Sequence, residues 1–260
     1  MAGQPSRRTA STSKPDAAPR ACGAQATLIR PLMTMGLEFA NPLGLAAGYD
    51  RTGEFAPSLL SAGFGHVEIG TINSATAYGG PLMRPAGSAR LGINIGSLRP
   101  GLDDLVIEDF VIRLKQAALI GDYVVANLSA PTMQRNGNSQ GAERLVQSLS
   151  AARDALSTVC DHRVPLLIKL EGGEQGAAIP AAIAAARSHG LDGIVLVSDC
   201  LHRLHAISSY VGRLTVISVG GVRTSEDVRA RLAAGASLVQ VHRAFAEGGV
   251  EQLRRILEGI

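Results

Sequence analysis

From position 41 onward the chain alternates between short, almost unbroken apolar runs and longer stretches with apolar residues every three or four positions. The short runs predict strands at Leu43–Ala47, His66–Ile69, Leu91–Ile95, Tyr123–Leu128, Pro165–Leu170, Gly193–Val197, Leu214–Val219 and Leu238–Val241. The longer stretches predict helices at Glu54–Ser61, Asp103–Leu119, Ala142–Thr158, Gln175–His189, Leu201–Tyr210, Ser225–Ala233 and Val250–Leu257. Thr224-Ser225-Glu226-Asp227 has the chemistry of a helix start: a hydroxyl to cap, and acids for the first turn. Gly190 and Gly235 follow helices, where a left-handed terminal residue is easily accommodated. Strands apolar on both faces belong to a parallel sheet covered on both sides. Eight of them, alternating with helices, point to an α/β fold of the (β/α)8 TIM-barrel type, with a doubly wound open sheet as the alternative. Thr71–Arg90 breaks the alternation: it is rich in Gly and Pro, and no regular helix is expected after the second strand.

Residues 1–34 show no periodic apolar pattern. They are rich in Ala, Ser, Thr, Pro and Arg and read as a flexible tail ahead of one barrel domain at 35–260. Much of the net charge of +3 sits in that tail, where Arg7, Arg8, Lys14, Arg20 and Arg30 face only Asp16. Without a basic helix or interleaved aromatics, this charge does not make a nucleic-acid binder. The 3% of aromatic residues leaves the core to Ala, Val, Leu and Ile. Cys22, Cys160 and Cys200 have no metal-ligand spacing and fit a reducing compartment. No apolar stretch approaches the ~20 residues of a membrane span, so membrane association is not expected. The expected location is the cytoplasm, and the oligomeric state is left open.

In a barrel, chemistry belongs at the C-terminal ends of the strands. Those ends carry Asp50-Arg51, Thr71, Asn94, Asn127 to Ser129, Lys169, Ser198-Asp199, Gly220-Gly221 and His242-Arg243, all polar or small against the strands they follow. Gly220-Gly221 before the helix start at Thr224 lets backbone N–H groups approach a phosphate, and Arg243 can add a charge. A tight turn with an exposed Arg is the alternative. Lys169 closes Pro165-Leu-Leu-Ile-Lys; it is placed to stabilise negative charge on a ligand, or else snorkels out of the mouth. Asn94 and Asn127 offer amides to a heterocycle, or tie loops together. The histidines lack metal spacing and read as surface or loop residues. His242 is set apart by its place after the last strand, as a site residue or a packed neutral imidazole.

Several segments resemble the class 2 (membrane-associated) dihydroorotate dehydrogenases. They are Asn41-Pro-Leu-Gly-Leu-Ala-Ala-Gly-Tyr-Asp-Arg-Thr-Gly-Glu54, Gly63-Phe-Gly-His-Val-Glu-Ile-Gly-Thr71, Leu91-Gly-Ile-Asn-Ile-Gly96 and Gly235-Ala-Ser-Leu-Val-Gln240. The resemblance covers roughly positions 41 to 260. It implies an FMN site lined by Ala46, Ala47, Gly48 and on to Asp50, with Thr71, Asn94, Asn127 and Lys169. It places the FMN phosphate at Gly220 and Gly221, with His242-Arg243 where the family has a Tyr-Ser/Thr pair. The implied reaction oxidises dihydroorotate to orotate, with hydride passing to the flavin and a quinone reoxidising it.

The departures fall on the chemistry. In Asn127-Leu-Ser-Ala-Pro-Thr-Met133 the family's catalytic serine is Ala130, which cannot accept a proton, and the next substrate asparagine is Thr132. Ser129 is adjacent but points the other way if the strand register continues. The family's first-strand lysine is Arg51, and its Thr/Asn pair after the sixth strand is Val197-Ser198. The substrate-binding asparagine loop is missing, since Arg84-Pro85 runs almost directly into Leu91. The family's N-terminal quinone-binding helices have no visible counterpart. By this resemblance Arg51, Asn127, Thr132 and Ser198 would meet substrate, and Lys169 would stabilise flavin charge. Loss of a general base alone costs about 10²–10⁴-fold, so efficient turnover of dihydroorotate is not expected. The favoured expectation is an FMN oxidoreductase acting on another small molecule. The alternatives are an inactive homologue serving as a binding or scaffold protein, and a flavin-free barrel using Lys169, Asp199 or His242.

Overall fold

The computed structural model describes residues 31–73, 89–130, 133, 139–158 and 163–260. A hairpin of β1 (Leu32–Thr34) and β2 (Leu37–Phe39) comes first. Met35 and Gly36 turn it, both at positive φ (44° and 77°), as a tight two-residue hairpin turn requires. The 34/35 boundary expected between tail and barrel falls inside this hairpin. Then follow β3 (Leu43–Leu45), α1 (Ala56–Leu60), β4 (His66–Ile72), β5 (Arg90–Ile95), α2 (Asp104–Ala117) and β6 (Tyr123–Asn127). After them come α3 (Ser139–Ser157), β7 (Leu166–Glu171), α4 (Ala181–Ser188), β8 (Gly193–Val197) and α5 (Leu201–Val211). The chain ends with β9 (Thr215–Val219), α6 (Ser225–Ala233), β10 (Leu238–Val241) and α7 (Arg243–Glu258). The eight strands β3 to β10 pair in parallel and in sequence order, and β10 closes on β3. The (β/α)8 expectation holds. Of the segment Thr71–Arg90, expected to lack a helix, Thr71, Ile72 and Arg90 lie in β4 and β5, and 74–88 fall outside the described residues.

Two apolar layers build the barrel. One joins the outward strand residues to the helices through Leu43, Leu45, Ile69, Ile93, Phe110, Leu145 and Ile194, among others. The other fills the interior with Phe39, Ala46, Tyr123, Val125, Leu167, Val195, Ile217, Val219 and Leu238. With so few aromatics, the interior nests its large rings over glycines. A Cβ at Gly44 would lie 2.2 Å from His66 Nε2, and one at Gly92 only 2.4 Å from Tyr123 Cζ. Phe39, His66 and Tyr123 meet edge to face on the barrel floor, with centroids 5.8 and 6.5 Å apart.

His66 corrects the expectation that the histidines are surface or loop residues: it is fully buried, and neither ring nitrogen has a partner. Burial pushes its pKa down to about 3, so the ring is neutral and behaves as a flat packing group.

The helix expected at Gln175–His189 is shorter than its pattern, since only Ala181–Ser188 is helical, with Pro180 at its N-cap. The last helix starts before the expected Val250, at Arg243, and Gly249 (φ 55°, ψ −149°) breaks it. The expected capping box at Thr224 forms: its hydroxyl accepts from Asp227 N, and the Asp227 carboxylate accepts from Thr224 N. Gly190 and Gly235 take positive φ after their helices, as expected (63° and 103°).

Candidate functional site

Inward-facing residues near the strand C-termini converge on one region. Their placement follows from strand alternation: Asn94, Asn127 and Lys169 occupy the same inward face as Val125, Leu167 and Val195. Thr71, Asn94 and Asn127 are joined by hydrogen bonds. Ser129 Oγ donates to Asn127 Oδ1 (2.7 Å), Asn127 Nδ2 to Thr71 Oγ1 (2.9 Å), Thr71 Oγ1 to Asn94 Oδ1 (2.9 Å), and Asn94 Nδ2 to Glu68 Oε2 (3.5 Å). All four bonds point the same way, from the mouth toward Glu68. Each asparagine therefore uses its carbonyl oxygen within the row and keeps an amide hydrogen in hand. The second N–H of each amide is the donor left to a ligand, alongside the Lys169 ammonium.

Glu68 sits at the inner end of the row, wholly buried. Gln240 Nε2 (2.7 Å) and the Tyr123 hydroxyl (3.4 Å) also donate to it. Desolvation raises its pKa, opposed by the Lys169 ammonium and by the three donors. Sequence reading passed over Glu68 and Gln240. The available signal was a single polar residue inside each of two apolar strands, Val67-Glu68-Ile69 and Val239-Gln240-Val241.

Lys169 is buried beside Asn127 on the neighbouring strand, and Leu128 N donates to its carbonyl (2.7 Å). Its charge acts on Glu68 below, on Glu171 above and on His242 across the mouth. Glu171, also missed by sequence, ends β7 beside the inward-packed Val197. Partial desolvation raises its pKa, with Lys169 pulling the other way. His242 follows β10, as expected, and stands at the N-cap of α7. Burial and then the charges of Lys169, Arg243 and Arg51 lower its pKa, so its imidazole is neutral at pH 7. Its Nε2 lies 3.7 Å from where a Gly48 Cβ would stand. Ala46 N bonds Val241 O (2.9 Å) and Gly48 N bonds Gly70 O (3.0 Å), which brings the first βα loop between the last strand and β4. Ala47 lies half-buried between them. Arg51 and Arg243 are exposed at the rim. Asp50 is turned to its own loop, accepting from Gly53 N (2.8 Å) and Phe55 N (3.0 Å).

Gly220 and Gly221 both take positive φ (121° and 65°). Behind them the buried Arg231, a further residue the sequence did not single out, donates to Ser198 O (2.9 Å), Ser218 Oγ (2.7 Å) and Gly220 O. In a trans peptide the N–H opposes the preceding carbonyl, so the Gly221 and Asp199 N–H groups point away from Arg231. Two amides thus stand side by side, suited to an anion. Asp199 is exposed next to Gly221, its Cβ 3.5 Å from where a Gly221 Cβ would be. Ser198 is held in the turn, its Oγ accepting from Cys200 N (3.2 Å). Ala130 is half-buried, packs its methyl against the outer apolar layer, and receives Met133 N at its carbonyl (2.8 Å). Thr132 lies outside the described residues. Ser129, with its hydroxyl on Asn127, faces back into the row.

The donor set fits the group that the sequence resemblance implies. The second amide hydrogen of each asparagine and an ammonium suit the carbonyl-rich edge of an oxidised flavin, and the glycine amides suit a phosphate. Among the described residues, no cluster of three or more His, Cys, Asp or Glu could hold a metal ion. Among them, too, no helix is long and apolar enough to cross a membrane.

The sequence profile of dihydroorotate dehydrogenase matches residues 181–260. Dihydroorotate dehydrogenase (quinone) of Thermobifida fusca is 32% identical over 290 positions, covering 86% of this chain and 77% of that protein. The Leifsonia xyli protein of the same name is 31% identical, with 87% and 83% covered. Both alignments run over 290 positions, more than the 260 residues of this chain, so these relatives carry segments with no counterpart here. Among solved structures, DHODH from Eimeria tenella in complex with ferulenol superposes with a TM-score of 0.69 at 21% identity, covering 86% of this chain and 81% of that one. That likeness shows the shared barrel. With the identity to the bacterial proteins extending over most of both chains, this chain belongs to the dihydroorotate dehydrogenase family of oxidoreductases, among its quinone-type (class 2) members.

Proposed function

We propose that this barrel binds FMN at its C-terminal mouth and serves a redox reaction on a small molecule other than dihydroorotate. The observation that carries the reading is the amide row of Asn94 and Asn127 beside the buried ammonium of Lys169. Bound FMN supplies hydride acceptance. Asn94, Asn127 and Thr71 hold the flavin ring through their row, and Ala46, Ala47 and Gly48 leave room for it on the β3 side. Lys169 keeps a positive charge where negative charge develops. Gly220 and Gly221 receive the phosphate, with Arg243 and His242 at the rim. Asp199 beside the glycines weakens that subsite relative to an uncharged neighbour.

Substrate is met by Arg51, Asn127, Thr132 and Ser198. Arg51 favours an anionic one. Ala130 offers no base. Glu171 has the right chemistry: a carboxylate on the same inward face as Lys169, with its pKa raised by partial burial. It takes the proton lost from one carbon of a CH–CH substrate as the other carbon gives up hydride.

A second reading, a catalytically inactive binding protein, is favoured by the Ala130 methyl and by the way Ser129, Asn127 and Thr71 already satisfy one another. Titration of the purified protein with FMN, read by flavin absorbance and fluorescence quenching, separates the two. Near-stoichiometric FMN, weakened at least tenfold by Lys169→Met, is expected. A colourless protein that ignores added FMN overturns the oxidoreductase reading.

A further inference from the structure

Glu68 has no part in the reading above, yet a wholly buried carboxylate must be held in place by something. Three neutral donors converge on it from three strands: Asn94 on β5, Tyr123 on β6 and Gln240 on β10. Among the described residues, the cation acting on it is Lys169 on β7. The other ionisable groups close by carry no compensating charge. His66, two residues earlier on the same strand, is a neutral ring, and Tyr123 is kept a phenol by burial and by Glu68 itself.

Two consequences follow from this arrangement. As a carboxylate Glu68 can only accept, so it sets the direction of the whole row. Asn94 must turn its amide nitrogen inward and its oxygen to Thr71; Thr71 must then accept from Asn127, and Asn127 from Ser129. The inward direction of the row is thereby fixed from the barrel floor. Glu68 also shares the field of Lys169, so part of the ammonium's attraction for a bound anion is spent on the carboxylate beneath it. The buried Gln240 Oε1 has no partner among the described residues. An amide at position 68 could donate to it once the Gln240 side chain turns over.

We infer that Glu68 is a positioning residue that fixes the inward donor direction of the Asn94–Thr71–Asn127–Ser129 row and tempers the charge Lys169 presents to a flavin. This rests on the FMN reading for its second half only. Glu68→Gln is close to isosteric and leaves Lys169 without its counter-charge. The variant should still bind oxidised FMN. It should hold the reduced, anionic form about tenfold tighter relative to the oxidised one, an upward shift of the midpoint potential by about 30 mV for a two-electron couple. An unchanged potential in a variant that folds and binds FMN overturns the inference, because a merely structural glutamate would not alter the oxidised/reduced preference in this direction.

A flavin-free measurement keeps the two readings apart. In the apoprotein, 13C NMR of the Glu68 carboxyl should show its titration midpoint moving upward in Lys169→Met. No movement overturns the coupling whatever the flavin does. Movement in a protein that refuses FMN upholds the Glu68–Lys169 coupling and overturns the flavin reading instead.

Discussion

At the scale of single residues, the barrel floor is the place where sequence and structure part most sharply. His66 and Glu68 lie in a strand whose apolar neighbours were legible, but nothing local says that both side chains point into the barrel. Their inward aim depends on register with Gly44 and Gly92, whose missing side chains make room for the rings of His66 and Tyr123. Neutral burial of His66 has a measurable consequence. Its folded pKa of about 3 lies below the ordinary 6.5, so the unfolded chain takes up a proton first as pH falls. Stability is therefore whole above about pH 6.5 and is lost as pH drops toward 3. Between pH 7 and pH 5 this one group should cost about 2 kcal/mol. Glu68, whose raised pKa acts in the opposite sense, makes the comparison with a variant necessary. Urea unfolding at both pH values should show the wild type losing this amount relative to His66→Leu. Parallel pH profiles would mean that the ring is protonated or solvated in the fold.

At the scale of elements, period and punctuation were good guides where the chain is regular. β8, β10 and α6 fall on their expected bounds, because unbroken apolar runs and the Thr224 capping box are local signals. The segment before α4 misled the pattern. Residues 172–180 carry glycines at 172, 173 and 176, yet the alanines that follow extend a helical periodicity backward. What organises this loop is distant in sequence. Buried Arg203 of α5 donates to Gly172 O (2.6 Å), Ala177 O (2.6 Å) and Ala178 O (2.8 Å). A fully charged guanidinium compensated by three carbonyls is a costly group to replace. Arg203→Met should lower stability by about 1–3 kcal/mol and speed proteolytic cleavage within 172–180 ahead of the rest of the barrel. Equal cleavage rates would show that the loop is held by its own residues. Because Glu171 and Lys169 lead directly into this loop, its looseness would also be felt at the mouth.

At the scale of the whole molecule, the eight-fold alternation was enough to foresee a closed parallel barrel, and the strand-end rule placed the site at its C-terminal mouth. Thr71, Asn94, Asn127 and Lys169 do come together there. What the sequence could not supply was the direction of the hydrogen bonds among them, the carboxylates above and below Lys169, and the guanidinium behind the glycine pair. Each depends on contacts between strands or helices far apart in the chain. The molecule that results keeps a polar, cationic mouth and has alanine where its family resemblance calls for a base. An FMN-loaded sample mixed anaerobically with dihydroorotate tests that combination most directly. If the mouth holds flavin but lacks the machinery for this substrate, the oxidised flavin band should persist for minutes with dihydroorotate and vanish on adding dithionite. Bleaching by dihydroorotate as fast as by dithionite would contradict it, showing that Ala130 has been fully replaced and that the family's own reaction survives.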